Sequence, residues 1–438
     1  MGIAQLALFA WIPLALALFL ILPKRSAILV AVIAGWSFLP IATLKVPGFI
    51  DFSKSTVISM SALFGLAMTD ANHLMSFRLR AIDIPMLCLM LVPATSAIMT
   101  GGGPYLALSE TIYRVLDLGV PYLLGRLYFQ DEEGHCELSI GIIVGVLIYV
   151  PLCLYEIRMS PNLHAIVYGF SQSSFLQTIR FGGYRPMVFM HHGLMVALWL
   201  AAGSLLTFIL WKSRTLIRAF GIPAPFLFAI IVTTTVLAKS TGALLLLAIA
   251  ILLYYEARLT KRHWMFLLLC ISPLLYVTTR TMDLWHGEGL LEAVKEWSPE
   301  REQSLAFRFN SEKRLIQSMG PQFLYGKGPI ALTAVTGDEG QRESVVVDSL
   351  WIIEFSSNGF LALLSLTLAL SVPILAVLRN LGPRATAHGA QSCTFGLALV
   401  ALMFLLDCMV NAMVNPVYFI VLGGLAGAGV SRRPPGRA

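Results

Sequence analysis

Residues 138–156 read LSIGIIVGVLIYVPLCLYE, a run in which no charge appears until Glu156 closes it. A helix needs roughly 20 such residues to cross a bilayer. Comparable runs recur at about 3–22, 27–46, 56–70, 83–100, 106–127, 187–211, 223–238, 241–257, 264–279, 349–378, 392–411 and 416–430. With 57% hydrophobic and 13% charged residues and a mean hydropathy of +0.77, the 438-residue chain lacks the charge that an ordinary soluble surface carries. The pattern predicts an all-α polytopic membrane protein with about 12–13 transmembrane helices. Run 106–127 contains Glu110, Arg114 and Asp117, so a re-entrant or interfacial helix is the alternative there. No basic segment precedes run 3–22, which is expected to be a retained first helix rather than a signal peptide.

Lysine and arginine in short loops orient such a chain. Lys24 and Arg25, Arg78 and Arg80, Arg126, Lys212 with Arg214 and Arg218, Arg258 with Lys261 and Arg262, Arg379 with Arg384, and Arg432, Arg433 and Arg437 of the tail fall on one side if every run crosses. That side is predicted to be the cytoplasm. The net charge of +7 is therefore largely a topology signal, and no nucleic-acid partner is implied. The six cysteines lie mostly within apolar runs and are expected to be small core residues rather than a disulfide framework. The chain reads as a single membrane domain, 1–438, with two external loops, 157–186 and the large polar segment 280–347.

The large loop is where chemistry on a polar substrate can be housed. Ser298-Pro299-Glu300 signals a helix start and Gly320-Pro321 its end. Between them Arg301, Leu305, Arg308, Glu312 and Leu315 recur at spacings that place them on one stripe. Guanidinium forks match phosphate oxygens and stay charged, so a lipid diphosphate is a fitting ligand. The alternative is that Arg308 merely pairs with Glu312. Arg180 and Arg185, before the seventh run, and Lys239, in a very short turn on the same side, add positive charge.

Between Tyr155 and Leu194 the chain reads YEIRMSPNLHAIVYGFSQSSFLQTIRFGGYRPMVFMHHGL. Arg180, Gly182, Gly183, Tyr184, Arg185 and Pro186 form R-x-G-G-Y-R-P ahead of an apolar run. Lys239-Ser240-Thr241-Gly242-Ala243, Ser304-Leu305 with Phe307-Arg308, Gly326-Lys327-Gly328 and Val347-Asp348-Ser349-Leu350-Trp351 follow in order. Across about residues 150–360 this set resembles the bacterial exopolysaccharide polymerases, in the superfamily that includes O-antigen polymerases and O-antigen ligases. The resemblance implies a C-type glycosyltransferase in the bacterial inner membrane with its active site facing the periplasm. Its substrates would be sugars on undecaprenyl diphosphate, with membrane lipids and other polysaccharide assembly proteins as partners. It implies neither metal nor cofactor, and no Asp-x-Asp signature stands on an external loop. Where the relatives carry S-R-G-A this chain has Ser240-Thr241-Gly242-Ala243, so Lys239 is expected to supply the missing charge. Where they carry a histidine before the helix after the loop, this chain has Asp348.

On that reading Arg158, Arg180, Arg185, Lys239, Arg301 and Arg308 bind the diphosphate. Asp348 is the candidate base, with an N-cap for the helix near Leu350 as its structural alternative. Glu156 is the second candidate base, the alternative being a pair with Arg158. Tyr184, His191, His192 and Trp351 are candidates to contact sugar. An interfacial aromatic belt would equally explain Tyr168, Phe170, Tyr184 and Trp351, and His191 and His192 are expected about a turn and a half into the helix after Pro186. Adjacent histidines on a helix face apart, so no metal site is predicted. Gly326-x-Gly328 is expected to be a tight turn bringing backbone near the site. The predicted reaction is inverting polymerisation of repeat units. A ligase acting on lipid A core or protein, and a transporter or flippase of lipid-linked or polar cargo, are the competing functions.

Overall fold

A computed structural model describes residues 2–45, 50–297, 299–328, 334–336, 342–344, 347–382, 385 and 389–430. Every apolar run of the sequence carries helix. The helices are α1 (Ile3–Ile21), α2 (Lys24–Phe38), α3 (Lys54–Thr69), α4 (Ala71–Met75), α5 (Ile84–Met99), α6 (Gly103–Arg114), α7 (Val120–Tyr128), α8 (Glu132–Met159) and α9 (Leu163–Tyr168). They continue with α10 (Gly193–Lys212), α11 (Ala224–Leu237), α12 (Thr241–Thr260), α13 (Trp264–Thr281), α14 (Glu288–Trp297), α15 (Pro299–Gln317), α16 (Leu350–Asn380), α17 (Gln391–Asp407) and α18 (Pro416–Val430). Strand is confined, among the described residues, to four short antiparallel hairpins.

Among the described residues, seven helical segments are long and apolar enough to cross a membrane: α1, Ala81–Met99, α8, α10, α12, α13 and α16. The molecule is an all-α, multi-pass membrane protein. At its centre lies α10, 94% buried, against α8, α11, α12 and α17. A helix apolar on all sides belongs in such a core. The outer helices expose leucine and isoleucine instead, as at Leu245 and Leu252 on α12 and Leu268 and Leu275 on α13, the surface expected toward lipid.

The ambiguous run 106–127 is helical throughout, α6 passing into α7 through a π-helical turn at Val115–Gly119. Insertions of this kind often mark functional or constrained positions. Its charges turn inward: Arg114 pairs with Glu354 of α16, which also accepts from Asn358 Nδ2 at 3.0 Å. Farther along, α7 meets α18 backbone to backbone. A Cβ at Gly125 would strike the Ile420 carbonyl, and one at Gly423 the Tyr122 carbonyl. Small residues permit this approach between membrane helices.

Three expectations require correction. The seventh run is not helical from residue 187; α10 begins at Gly193, with His192 as N-cap. His191 and His192 therefore precede the helix. Cys136 and Cys393 are joined in a disulfide between the starts of α8 and α17, beside a 2.8 Å contact of His135 Nδ1 with Thr394 Oγ1. Their separation of 257 residues hid that pairing until the helices packed. Finally, Arg126, counted as a loop charge, is buried in an ion pair with Asp83 at 3.0 Å.

Candidate functional site

The described parts of segments 157–186 and 280–347 lie at one end of the bundle, where Arg180, Arg185 and Asp348 all act on His192. A hairpin pairs Ile179–Arg180 with Gly183–Tyr184, and its tip residues Phe181 and Gly182 both have positive φ, 48° and 65°. Two such residues are what a tight two-residue hairpin turn demands, and only the glycine meets the demand without strain. The Phe181 carbonyl accepts a hydrogen bond from Lys239 Nζ at 3.1 Å. Arg185 Nη2 in turn donates to the Lys239 carbonyl at 3.0 Å. A Cβ at Gly183 would collide with the Lys239 ammonium, which gives the paired glycines of R-x-G-G-Y-R-P a physical reason. Arg185 and Lys239, 54 residues apart, are thus interlocked.

Below this hairpin, residues 187–190 form buried, non-helical backbone, which membrane proteins tolerate only where its polar groups are met. Glu156 Oε2 accepts the N–H groups of Met187 and Val188, each at 2.8 Å, while Oε1 accepts that of Leu163 at 3.0 Å. Tyr149 Oη accepts the Phe189 N–H at 2.9 Å, and Lys54 Nζ donates to the Phe189 carbonyl at 2.8 Å. Gln172 Nε2 donates to the carbonyls of Val188 and Met190. Glu156 therefore braces the cation-bearing loop, and it does not pair with Arg158. The exposed Arg158 makes no hydrogen bond or ion pair with the described residues.

His192 sits where the segments meet. Its Nδ1 accepts the Leu194 N–H at 3.1 Å, so that nitrogen is unprotonated. Burial, then Arg185, His191 and Arg180, pull its pKa down to about 4, and Asp348 opposes them. Asp348, Arg185 and Arg180 thus each lie within electrostatic reach of His192. It does not cap α16; Ser349 holds the N-cap position. Instead its carboxylate lies 3.6 Å from Arg308 Nη2 of α15.

Helix α15 is fixed by a buried pair. Glu312 accepts from Arg280 of α13 at 3.1 Å and from Tyr276 Oη at 3.1 Å, so the alternative pairing of Arg308 with Glu312 does not occur. Between Arg308 and Asp348 lies a narrow cleft floored by Ser311, Ser349 and Ile352, with about 10 Å³ of space, enough for a single water. Trp351 is fully buried, edge-on to Tyr276 at 5.6 Å; this ring is core and cannot stack on a sugar. Tyr184 is half-buried and His191 exposed beside the cations. Helix α15 includes Arg301, whose side chain lies outside the described residues, as does Ser298.

The residues 323–328 enter the bundle and mend a broken helix. In α16 Gly359 takes φ 76°, interrupting the helical hydrogen bonds. Lys327 and Gly328 donate their N–H groups to the carbonyls of Ser356 and Ser357 at 2.8 and 2.9 Å, and Phe360 N–H reaches the Phe323 carbonyl at 2.8 Å. Gly326 and Gly328 have φ of 80° and 81°, and any Cβ at Gly326 would overlap the Ser357 backbone. These glycines hold left-handed backbone against the break in α16, at Ser356 and Ser357, rather than beside Asp348 or the cations.

Two groups escaped the sequence reading. Asp407, at the end of α17 and 5% exposed, is bonded by Asn411 Nδ2 at 2.6 Å and feels the charge of Arg308. Its neighbours Cys408 and Asn411 offer carbonyls to the Leu350 N–H that opens α16. An aspartate inside run 392–411 was the available signal, since intramembrane ionisable residues are costly. Lys54, just ahead of run 56–70, was the other.

No protein-family model matches this chain, and comparison with curated proteins gives no match.

Proposed function

We propose that the protein is an inverting, metal-independent glycosyltransferase that polymerises undecaprenyl-diphosphate-linked oligosaccharide repeat units at the outer face of the bacterial inner membrane. The observation that carries this reading is that His192, at one end of a multi-pass bundle, lies within electrostatic reach of Arg180, of Arg185, which is bonded to Lys239, and of Asp348, which faces Arg308. A diphosphate at that end replaces Asp348 as partner of the Arg308 guanidinium, whose planar fork suits phosphate oxygens. Binding the donor therefore releases the carboxylate next to the place where the acceptor hydroxyl must arrive.

The acceptor oxygen attacks the anomeric carbon, the bond from that carbon to the phosphate oxygen breaks, and undecaprenyl diphosphate leaves with the bonding electrons. The hydroxyl proton passes to Asp348. Positive charge on Arg185, Lys239 and Arg308 meets the charge developing on the leaving group. A single displacement of this kind inverts the anomeric centre.

Incubation of the purified protein with an undecaprenyl-diphosphate oligosaccharide tests the proposal. A ladder of products is expected. A single transfer to lipid A core or to protein instead identifies a ligase, and unaltered substrate moved between leaflets identifies a transporter.

A further inference from the structure

An apolar groove opens on the side of the bundle between α8 and α11. Its walls are Leu147, Ile148 and Val150 of α8, Leu227 and Ile230 of α11, and Phe220 of the hairpin preceding α11. It encloses about 320 Å³, within the range, from roughly 300 Å³ upward, in which small-molecule sites fall. Ile148, Phe220 and Ile230 are 50%, 70% and 41% exposed, so the groove is open laterally. No charged side chain lines it. Within a membrane-spanning region such a surface accepts hydrocarbon.

The same two helices carry the cation site at their other ends. Lys239 follows α11 directly, roughly 14 Å beyond Ile230 at 1.5 Å per residue. On α8, Glu156 stands roughly 9–14 Å beyond Val150 and Leu147, where it holds the backbone next to Arg185. The exposed apolar residues Leu154 and Leu237, each seven residues beyond a groove residue, Leu147 and Ile230, and so on the same helix face, continue the surface between groove and cations. A lipid whose phosphates rest at Arg185 and Lys239 has this groove directly below its headgroup.

We infer that the groove between α8 and α11 holds the polyisoprenoid tail of the lipid diphosphate whose phosphates bind at Arg185 and Lys239. The inference rests on the lipid-diphosphate reading above and adds chain-length selectivity to it. The tail of a long prenyl diphosphate reaches the groove, whereas a geranyl chain ends above it.

The test is binding of undecaprenyl diphosphate and geranyl diphosphate to the full-length protein in nanodiscs, comparing the native chain with Ile148→Trp and Ile230→Trp. Both positions are exposed, so an indole fills the groove without entering the core. Undecaprenyl diphosphate should bind about tenfold more weakly to either variant, as for loss of roughly two methylenes' burial. Geranyl diphosphate should bind unchanged. Equal effects on both ligands, or no effect on either, would overturn the inference while leaving the phosphate site standing. If the native chain binds neither ligand, the lipid-diphosphate reading itself fails and the tail site with it. Should the Trp variants not accumulate, Ile230→Ala, which strips one wall, must show the same length-dependent loss.

Discussion

Arg308 of α15 and Asp348 before α16 face each other at 3.6 Å, 30% and 49% exposed, without closing into a tight pair. An exposed pair of this kind contributes only about 0–1 kcal/mol to stability, so it is free to be exchanged for a ligand. Arg308→Ala and Asp348→Asn should each leave folding intact, shifting the unfolding midpoint in detergent by little. Both should lower product formation at least about 100-fold, the scale of a lost acid–base group or charge-stabilising donor. Because one guanidinium serves both ligand and base, the double variant should be scarcely worse than either single one. Additive losses in that cycle would separate the two residues' roles.

Glu156 behaves oppositely. Its carboxylate satisfies three backbone N–H groups, and leaving buried donors unmet costs about 1–3 kcal/mol each. Glu156→Ala should destabilise the protein by about 3 kcal/mol or more, read as a loss of folded protein in a thermal melt. Glu156→Gln retains an acceptor oxygen and should lose less. Whatever folds should keep an activity per molecule close to native, which a catalytic base could not.

That contrast shows what the sequence could and could not convey. Thirteen apolar runs are legible because span length is a local property, and each carries helix. Arg185, Lys239, Arg308 and Asp348 are legible by residue type, since charges between apolar runs stand out. Glu156 is equally conspicuous, but its bracing role is not legible, because its partners are main-chain N–H groups, which have no residue signature. The same holds at residues 187–190: MVFM is as apolar as any helix, and Glu156, Tyr149, Lys54 and Gln172 make the turn there the satisfied form. Trp351 stands at the right sequence distance from Asp348 but points into the core, a matter of helix phase. The Cys136–Cys393 bond and the Asp83–Arg126 pair join distant segments and appear only on packing.

His192 yields a pH prediction. Its folded pKa is near 4, below the roughly 6.5 of an unperturbed imidazole. Between those values the unfolded chain binds more protons, so stability falls as pH drops from about 6.5 toward 4 and is unaffected above that window. The melting midpoint of the native protein should decline across it. In His192→Asn, which keeps an N-capping side chain without a titrating ring, that part of the decline should vanish. An unchanged profile would show that the ring is not held neutral by its neighbours.

The Arg114–Glu354 pair joins the π-turn of the α6–α7 helix to the first turns of α16, and Glu354 is nearly inaccessible. Removing one partner of a buried pair leaves an uncompensated charge, at a cost of about 3–5 kcal/mol. Arg114→Met should therefore destabilise strongly, measured as folded fraction after heating. Arg114→Met combined with Glu354→Gln, which removes both charges, should recover much of the loss. A double variant no better than the single one would mean that the pair's value lies in its packing rather than its charge.

Gly326 lies against the Ser357–Asn358 backbone and Gly359 against that of Leu324–Tyr325, each at positive φ, so that the residues 323–328 supply the hydrogen bonds that α16 cannot make for itself. This couples the segment 323–328 to the helix that follows Asp348. Gly326→Ala adds a Cβ into the Ser357 backbone and strains the left-handed conformation. Relief requires the segment to withdraw, leaving the Ser356 and Ser357 carbonyls without the N–H groups of Lys327 and Gly328. The expected result is faster hydrogen exchange in residues 354–361 and weakened product formation with the bundle still folded. Gly320→Ala, where a Cβ meets nothing within 4 Å, strains its own turn but leaves the broken helix covered, so exchange there should remain native. If Gly326→Ala exchanges no faster than the native protein in those residues, the segment does not mend the helix in solution.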